Sequence, residues 1–332
     1  MTTAAEHLAR DPALYPMAFD LARDAILFLR MDEAGYRASS FLDERAVTQG
    51  GEQWIPHADV ARAMAEPLAS KPLHFIFHMG HVGSTLLSRL LDEAGSLLSL
   101  REPLPLRALA EAVDSGLPGT DNRLETMLRL WERGFADTRA VVLKATSATE
   151  RLGPTLLSMR PQARAILLNV SAECFLATIL AASNSAVDLN AHGPERMHRL
   201  GKLGIEVPRP TTLGELAAMS WLSERMTQGA LLRDFGDRIL SVDFDALLQW
   251  TERVLGLILS HFAVPQTPEQ IARIARSPAL TRYSKAPEHE YSPARRKALL
   301  DQARAAYAGE IGAALDWLRK IALASPAATA IL

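Results

Sequence analysis

Short, wholly apolar runs recur along the chain and alternate with segments whose apolar residues have a helical spacing. Such runs are typical of strands that are buried on both faces of a parallel sheet. They lie at 73–77, 97–100, 140–143, 165–168 and 239–242. Helical periodicity is found between them at 104–113, 123–134 and 174–182. The alternation predicts βαβ units, and therefore an α/β fold with a central, mainly parallel sheet.

The chain outside these units divides into three further regions. Residues 1–70 are predicted to form an N-terminal lead-in packed on the core, with a strand-like run at 25–29 and a helix at 57–66. The main domain is predicted to span 71–321, followed by a frayed tail at 322–332. Within the main domain, the segment 183–212 is rich in Gly, Pro and Asn. Its lack of periodicity predicts a long loop, either a lid, a binding loop or disordered.

Composition narrows the range of partners. Hydrophobic residues make up 48% of the chain, enough for a sizeable core, and the net charge of −2 gives no reason to expect nucleic acid or an anionic membrane. The single cysteine, Cys174, lies among apolar residues and is predicted to be a buried, inert thiol. No apolar stretch has the length of a membrane helix, and 1–10 is polar, so we expect a cytoplasmic protein. No metal-ligand spacing is found, so no structural metal is expected.

The strand at 73–77 leads into a turn and a helix start that together predict a phosphate cradle. Gly80 and Gly83 allow positive φ angles and a close approach of the backbone to a ligand. Ser84 and Thr85 open a helix whose first N–H groups and dipole favour an anion. A Walker motif would have Gly and Lys where this chain has His78 and Ser84, which disfavours ordinary ATP or GTP hydrolysis. A strand, turn and helix without a bound anion is the alternative.

The sequence G-S-T-L-L at 83–87, after an apolar strand, resembles the 5′-phosphosulfate loop of sulfotransferases. The resemblance covers most of 72–300 and implies a P-loop-type three-layer fold and a bacterial-type cytosolic enzyme. It also implies 3′-phosphoadenosine 5′-phosphosulfate (PAPS) as donor, 3′-phosphoadenosine 5′-phosphate (PAP) as product, and no obligatory metal. The acceptor would be a hydroxyl or amine of a small molecule or glycan. The family usually has Lys or Arg where this chain has His81, which could supply the charge when protonated.

Two charged residues follow predicted strands and have counterparts in the resemblance. Glu102, in a Glu-Pro pair, resembles the acidic motif of carbohydrate-type and bacterial sulfotransferases, which implies a general base. The alternative is that Glu102 pairs with Arg101 or caps the following helix. Lys144 resembles the lysine that many members place after this strand, where it would neutralise the transferring sulfonate. Its alternative role is that of a solvated loop lysine.

The predicted 3′-phosphate site departs from the family pattern, which has arginine, proline and a later serine. Here Asn169, Ser171 and Thr178 could hydrogen-bond a phosphate, but Ser171 could equally cap the helix that begins at 172. The missing charge could come from the basic loop 281–287, which resembles the late loop that covers the nucleotide in sulfotransferases. Arg282 and Lys285 would contact phosphate and Tyr283 would stack on adenine. A plain surface loop is the alternative.

Three other functions remain open. The first is a small-molecule kinase that uses Asp243 with Mg²⁺, although the cradle lacks its lysine. The second is a catalytically silent nucleotide-binding relative, which His81 and the missing arginine would suit. The third is a protein interaction scaffold that keeps only the fold.

Overall fold

The N-terminal region forms a three-stranded antiparallel sheet in the computed structural model, which describes residues 8, 10–65, 70–182, 185–286 and 288–331. Its strands, in spatial order, are β1 (Leu14–Asp20), β2 (Ala25–Arg30) and β3 (Gln53–Pro56). The predicted run at 25–29 is β2, whereas β1 and β3 were not predicted. Pro16 and an irregularity in register between Pro16 and Ala18 interrupt the alternation in β1, and β3 has four mostly exposed residues.

The five predicted buried strands form one sheet. They are β4 (Leu73–His78), β5 (Leu97–Arg101), β6 (Ala140–Lys144), β7 (Ala165–Asn169) and β8 (Ile239–Asp243). Their spatial order is β5-β6-β4-β7-β8, and β6 pairs in parallel with both β5 and β4. Every residue of β4, β5 and β6 is buried, which explains their continuous apolar sequences. The predicted α/β class with a mainly parallel central sheet is confirmed.

Helices occupy most of the remaining described chain. In chain order they are α1 (Glu33–Ala38), α2 (His57–Met64), α3 (Ser84–Asp92), α4 (Pro105–Asp114), α5 (Thr120–Trp131), α6 (Gly153–Met159), α7 (Ala172–Ala181), α8 (Ser185–Lys202), α9 (Leu213–Phe235), α10 (Phe244–Gln249), α11 (Thr251–His261), α12 (Pro268–Ile274), α13 (Pro293–Ala306), α14 (Ala308–Ala324) and α15 (Pro326–Thr329). Short 3₁₀ turns lie at Ser147–Leu152, Gly236–Arg238 and Pro278–Thr281. Among the described helices, none is long and apolar enough to cross a bilayer.

The chain groups into two compact units, of which the first contains 1–77, 83–166 and 250–290. Its core includes the apolar stripe of α3, with Leu86, Leu87, Leu90 and Leu91 all buried. His74 of β4 also belongs to this core. Its ring stacks on Phe262 with centroids 5.0 Å apart, and burial lowers its pKa to about 4. His74 is therefore a neutral core histidine.

The second unit contains 78–82, 167–249 and 291–332. Its longest helix, α9, packs against α7, α8 and α14. The buried residues of α9 lie on more than one side of the helix and include Ala217, Trp221 and Leu222. Cys174 of α7 is buried, and desolvation raises the pKa of its thiol, so the predicted inert cysteine agrees with its surroundings.

The predicted long loop at 183–212 is wrong for most of its length, because α8 covers 185–202. Residues 183 and 184 lie outside the described part of the chain, as do Glu66 at the end of the predicted helix 57–66 and Pro287 in the basic loop. One face of α8 is buried at Leu189, Gly193, Arg196 and Leu200, which is a helical spacing. Polar residues between them, and Pro194 inside the helix, hid this periodicity. The last part of the segment, 203–212, has no helix or strand.

The α8 helix is attached to α9 by charge and by close packing. Glu224 of α9 accepts a hydrogen bond from Arg199 at 3.0 Å and lies 3.5 Å from Arg196. A Cβ built on Gly193 would lie 3.2 Å from Leu216, so glycine permits the close approach of the two helices. These contacts stabilise a helix whose own sequence has weak helical propensity.

Candidate active site

The predicted glycine turn has a left-handed backbone at three positions. The φ angles are 79° at Gly80, 55° at His81 and 72° at Gly83. Glycine adopts these angles without a Cβ penalty, but His81 is a non-glycine residue in a region that L-residues seldom adopt. The His81 side chain is exposed, and the backbone N–H of Gly80 donates to Nδ1 of His78 at 3.1 Å. The turn is therefore shaped by both the glycines and a constrained histidine.

The start of α3 has the chemistry of an anion site. Gly83 is the N-cap residue and has no side chain that could cap the first N–H groups. Thr85 is 1% exposed, and its Oγ1 is a buried hydroxyl without a hydrogen-bond partner among the described residues. A buried hydroxyl without a partner costs free energy, and a ligand oxygen that accepted a hydrogen bond from Thr85 would remove this cost. Uncapped amides and a spare hydroxyl fit a phosphate or sulfate group.

Lys144 and Glu102 meet beside this helix start. In the parallel pair β5–β6, Arg101 is opposite Lys144, and the Glu102 N–H donates to the Lys144 carbonyl at 2.8 Å. The Lys144 ammonium donates to Oε1 of Glu102 and, at 3.4 Å, to Oγ of Ser84. The Lys144 side chain is 0% exposed and that of Glu102 is 12% exposed. Lys144 is therefore not a solvated loop lysine, and the structure brings three predicted site residues together.

Burial controls the charge of Lys144. Desolvation lowers the pKa of its ammonium to about 8, and the charges of Lys285 and Arg101 act in the same direction. The carboxylate of Glu102 opposes this shift through its charge and its hydrogen bond. Lys144 is thus a cation at neutral pH that loses its proton far more easily than a surface lysine.

Arg101 does not pair with Glu102, which was one of the alternatives. Its side chain is 1% exposed, and the guanidinium forms an ion pair with Asp92 of α3. It also donates to the carbonyls of Tyr36 at 3.0 Å and Ser39 at 2.9 Å, and to Oγ of Ser88 at 3.0 Å. One buried side chain therefore joins the end of α1, the helix α3 and the end of β5, directly before Glu102.

Phe41 is a central residue of the site that the sequence did not indicate. Three cations surround its ring: Arg45, with Cζ 4.0 Å from the centroid, and the Nζ atoms of Lys144 and Lys285 at 5.7 Å and 5.8 Å. Residues 41–45 form an irregular loop whose partners are distant in sequence. Only the tertiary structure reveals its position, and no local motif marks it.

The basic loop has two different environments. Lys285 lies beside Phe41, as described above. Arg282 and Tyr283 instead line a cavity of about 560 Å³ together with Arg37 and Arg89. Arg89 of α3 fixes this loop, because its Nε donates to the carbonyl of Ser284 at 2.9 Å and its Nη2 to Ser40 Oγ at 2.8 Å. The loop is therefore attached to α3 through Ser284, while the side chains of Arg282, Tyr283 and Lys285 are exposed.

The residues predicted for the 3′-phosphate take part in local hydrogen bonds of the second unit. Asn169 donates to Oγ of Ser241 at 3.0 Å. Ser171 caps α7, with its Oγ accepting from the Cys174 N–H at 3.2 Å, so the capping alternative is confirmed. Thr178 donates to the carbonyl of Cys174 at 2.8 Å. Each side chain has a structural role that does not depend on a ligand.

Asp243, the candidate magnesium ligand of the kinase alternative, also has a local role. Its Oδ1 accepts a hydrogen bond from the Ala246 N–H at 2.9 Å, at the start of α10. Within the described ranges, no group of three or more His, Cys, Asp or Glu side chains is placed to hold a metal ion.

No family model and no curated protein matches the chain. Among solved structures, the chain is similar to a sulfotransferase domain from the Synechococcus PCC 7002 olefin synthase, with 17% identity, 72% of this chain and 90% of that chain covered, and a TM-score of 0.41. The sulfotransferase domain from the curacin biosynthetic pathway is 16% identical, with 71% of this chain and 91% of that chain covered and a TM-score of 0.39. Retinol dehydratase, solved with androsterone and inactive cofactor PAP, is 11% identical, with 90% of each chain covered and a TM-score of 0.35.

Two of these three structures are sulfotransferase domains, and sulfotransferases are the family that the motif at 83–87 resembles.

Proposed function

We propose that the protein transfers a sulfonate group from PAPS to a hydroxyl or amine of a small-molecule or glycan acceptor. The observation that carries the proposal is Lys144, a buried cation that contacts both Ser84 at the start of α3 and the carboxylate of Glu102. An anion site, a cation and a base are needed together for this reaction.

The cradle residues would hold the 5′-phosphosulfate. Backbone N–H groups of Gly83, Ser84 and Thr85 would bind its oxygens, and Gly80 would keep the turn open. The Thr85 hydroxyl supports this role, because it is buried and lacks a partner among the described residues. PAPS, when bound, supplies the sulfonate, whose S–O bond to the phosphate breaks as a bond to the acceptor oxygen or nitrogen forms.

Lys144 and Glu102 would divide the remaining chemistry. Lys144 would balance negative charge on the transferring and leaving groups from a buried position, where a charge is screened least. Glu102 would accept the proton of the acceptor, because a carboxylate within hydrogen-bond reach of a hydroxyl or amine can act as a general base. His81 would add a proton-dependent positive charge, in the role that the resemblance gives to Lys or Arg.

The 3′-phosphate would need further cations. We propose Arg282 and Lys285 for this charge and Tyr283 for stacking, since Tyr283 is 47% exposed and so accessible to a base. Asn169, Ser171 and Thr178 remain the predicted hydrogen-bonding groups. Ser171 accepts a bond in its capping role, and its own O–H can still donate.

A thermal-shift comparison of PAP with ATP and Mg²⁺ tests the proposal. A ligand that binds only the folded state stabilises it by about 2.7 kcal/mol at 100 times its Kd, so PAP should raise the Tm clearly. ATP with Mg²⁺ should have little effect. The kinase alternative expects the reverse, and the local capping role of Asp243 gives it no support.

Turnover separates the enzyme from a silent relative. With PAPS and a panel of hydroxyl and amine acceptors, an active sulfotransferase should release PAP in an acceptor-dependent manner. Binding of PAP without turnover of any acceptor would favour the silent relative. No effect of either nucleotide on the Tm would leave the interaction scaffold as the better hypothesis.

A further inference from the structure

Charged side chains surround Phe41 and Glu102, and cations are in excess. Arg45 and Lys285 lie over or beside the Phe41 ring. Arg107 lies 3.7 Å from Oε2 of Glu102, the oxygen opposite the one that Lys144 contacts. Among the described residues, the group contains four cations and three carboxylates: Arg45, Arg107, Lys144, Lys285, Asp43, Glu44 and Glu102. A neutral, apolar acceptor would remove water from these charged side chains without pairing with them, which costs free energy.

The loop that carries Phe41 and Arg45 is fixed in place. The Leu42 N–H donates to the Arg101 carbonyl at 2.7 Å, and the Leu104 N–H donates to the Leu42 carbonyl at 3.2 Å. The buried Tyr15 hydroxyl donates to the same Leu42 carbonyl at 2.8 Å. The backbone beside Phe41 is therefore set in position by the fold before any ligand arrives, which lowers the entropic cost of binding.

Exposure divides the group into an inner and an outer part. The side chains of Arg45 and Arg107 are 62% and 48% exposed, whereas Lys144 is fully buried. Burial alone would raise the pKa of Asp43, but hydrogen bonds from Arg45 and the nearby charge of Arg107 lower it. Both arginines therefore lie near the charges of Asp43 and Glu102.

We propose that Arg45 and Arg107 select an anionic acceptor, namely a small hydroxylated or aminated carboxylate or phosphate ester. Its anionic group pairs with the two guanidinium groups while its nucleophilic oxygen or nitrogen reaches Glu102. This assignment rests on the proposed sulfonate transfer. A negatively charged acceptor would bind close to the sulfonate donor and to the Glu102 carboxylate, which repel it. The two guanidinium groups would offset this repulsion, because guanidinium pairs with carboxylate and phosphate through two parallel hydrogen bonds.

Calorimetry on PAP-saturated protein tests the selection. The carboxylate probes are 4-hydroxyphenylacetate and its methyl ester, and the phosphate probes are glycerol 3-phosphate and glycerol. At least one anion should bind about tenfold or more tightly than its neutral partner, and added salt should reduce the difference. The double variant Arg45→Gln/Arg107→Gln should lose the preference, with little change for the neutral probes.

Arg62→Gln is the matched control, because Arg62 is an arginine of the same unit with a side chain that is 77% exposed and paired only with Asp59 among the contacts described. It should keep the preference. If each anion binds no better than its neutral partner, or if neither anion binds, the proposal that Arg45 and Arg107 select an anionic acceptor is wrong. Failure of PAP to bind the wild-type protein would instead contradict the sulfonate transfer. The same four probes, titrated into PAP-free protein, would then decide whether the arginine pair binds anions on its own.

Discussion

Lys144 and Glu102 form an ion pair across two adjacent parallel strands, with the ammonium fully buried and a second contact to Ser84. The pair comes from residues 42 positions apart that end or directly follow β6 and β5. Parallel strands bring their carboxyl ends to the same edge of a sheet, and ligands of open α/β sheets bind there. The pair is consequently the part of the site on which the predictions depend most.

Stability should reveal the coupling within this pair. Removing one partner of a buried ion pair leaves an uncompensated charge and costs about 3–5 kcal/mol, whereas replacing both is often nearly neutral. We expect Lys144→Met and Glu102→Gln each to lower the free energy of unfolding. Lys144→Met should lower it by less, because the Glu102 carboxylate that remains in that variant still has Arg107 nearby. Urea unfolding should show that the double variant loses less unfolding free energy than the two single variants lose together. Simple additivity would contradict the coupling.

The pH dependence of PAP binding should follow Lys144. Its pKa is about 8 in the folded protein, so its positive charge is complete below that pH and lost above it. We expect PAP affinity, measured by calorimetry, to fall as the pH rises through about 8. In Glu102→Gln the decline should begin at lower pH, because the carboxylate that favours the ammonium is absent. An identical profile in both proteins would assign the decline to another group.

The same shift has the opposite effect on folding. Since the folded pKa of Lys144 lies below its ordinary value of 10.5, the unfolded chain binds more protons between these two values. The contribution of Lys144 to stability should therefore rise with pH across that window. The difference in unfolding free energy between wild type and Lys144→Met, measured across the window, isolates this contribution from other titrating groups.

Thr85→Val tests the anion site without changing the volume of the side chain. The Thr85 hydroxyl has no partner among the described residues, so its loss should leave the Tm unchanged or slightly higher. PAP affinity should fall about tenfold, the value expected for one hydrogen bond to a charged group. Thr126→Val is the control, because the Thr126 hydroxyl donates to the Asn122 carbonyl at 2.9 Å and contacts His57. That variant should lose stability and keep its affinity.

The sequence predicted the features of this site that depend on neighbouring residues, and it missed those that depend on contacts between distant parts of the chain. The five buried strands, the glycine turn and the charged residues after β5 and β6 are local patterns, and their placement followed from the βαβ order. Phe41 and Arg45 escaped prediction because long-range contacts, such as that of Leu42 with Arg101, bring them to the sheet edge. Arg107 lies only five positions after Glu102, in α4, but no motif marks it. In α8, polar residues and Pro194 concealed a helix that depends on contacts with α9.

The remaining prediction concerns His81, where the chain departs most from the sulfotransferase motif. His81 lies in the turn before α3 with a φ of 55°, and its side chain is exposed. If its protonated ring assists sulfonate transfer, His81→Arg should preserve or raise turnover, and His81→Ala should lower kcat by more than it weakens PAP binding. The wild-type rate should also fall as the pH rises through the range in which histidines lose their proton, whereas the arginine variant should be insensitive there. His81→Asn provides a control for the backbone, because asparagine tolerates the left-handed region but carries no charge. Equal turnover of the wild type, His81→Ala and His81→Asn would exclude His81 from the mechanism, and rescue of an inactive parent by His81→Arg would locate the lost chemistry at this one residue.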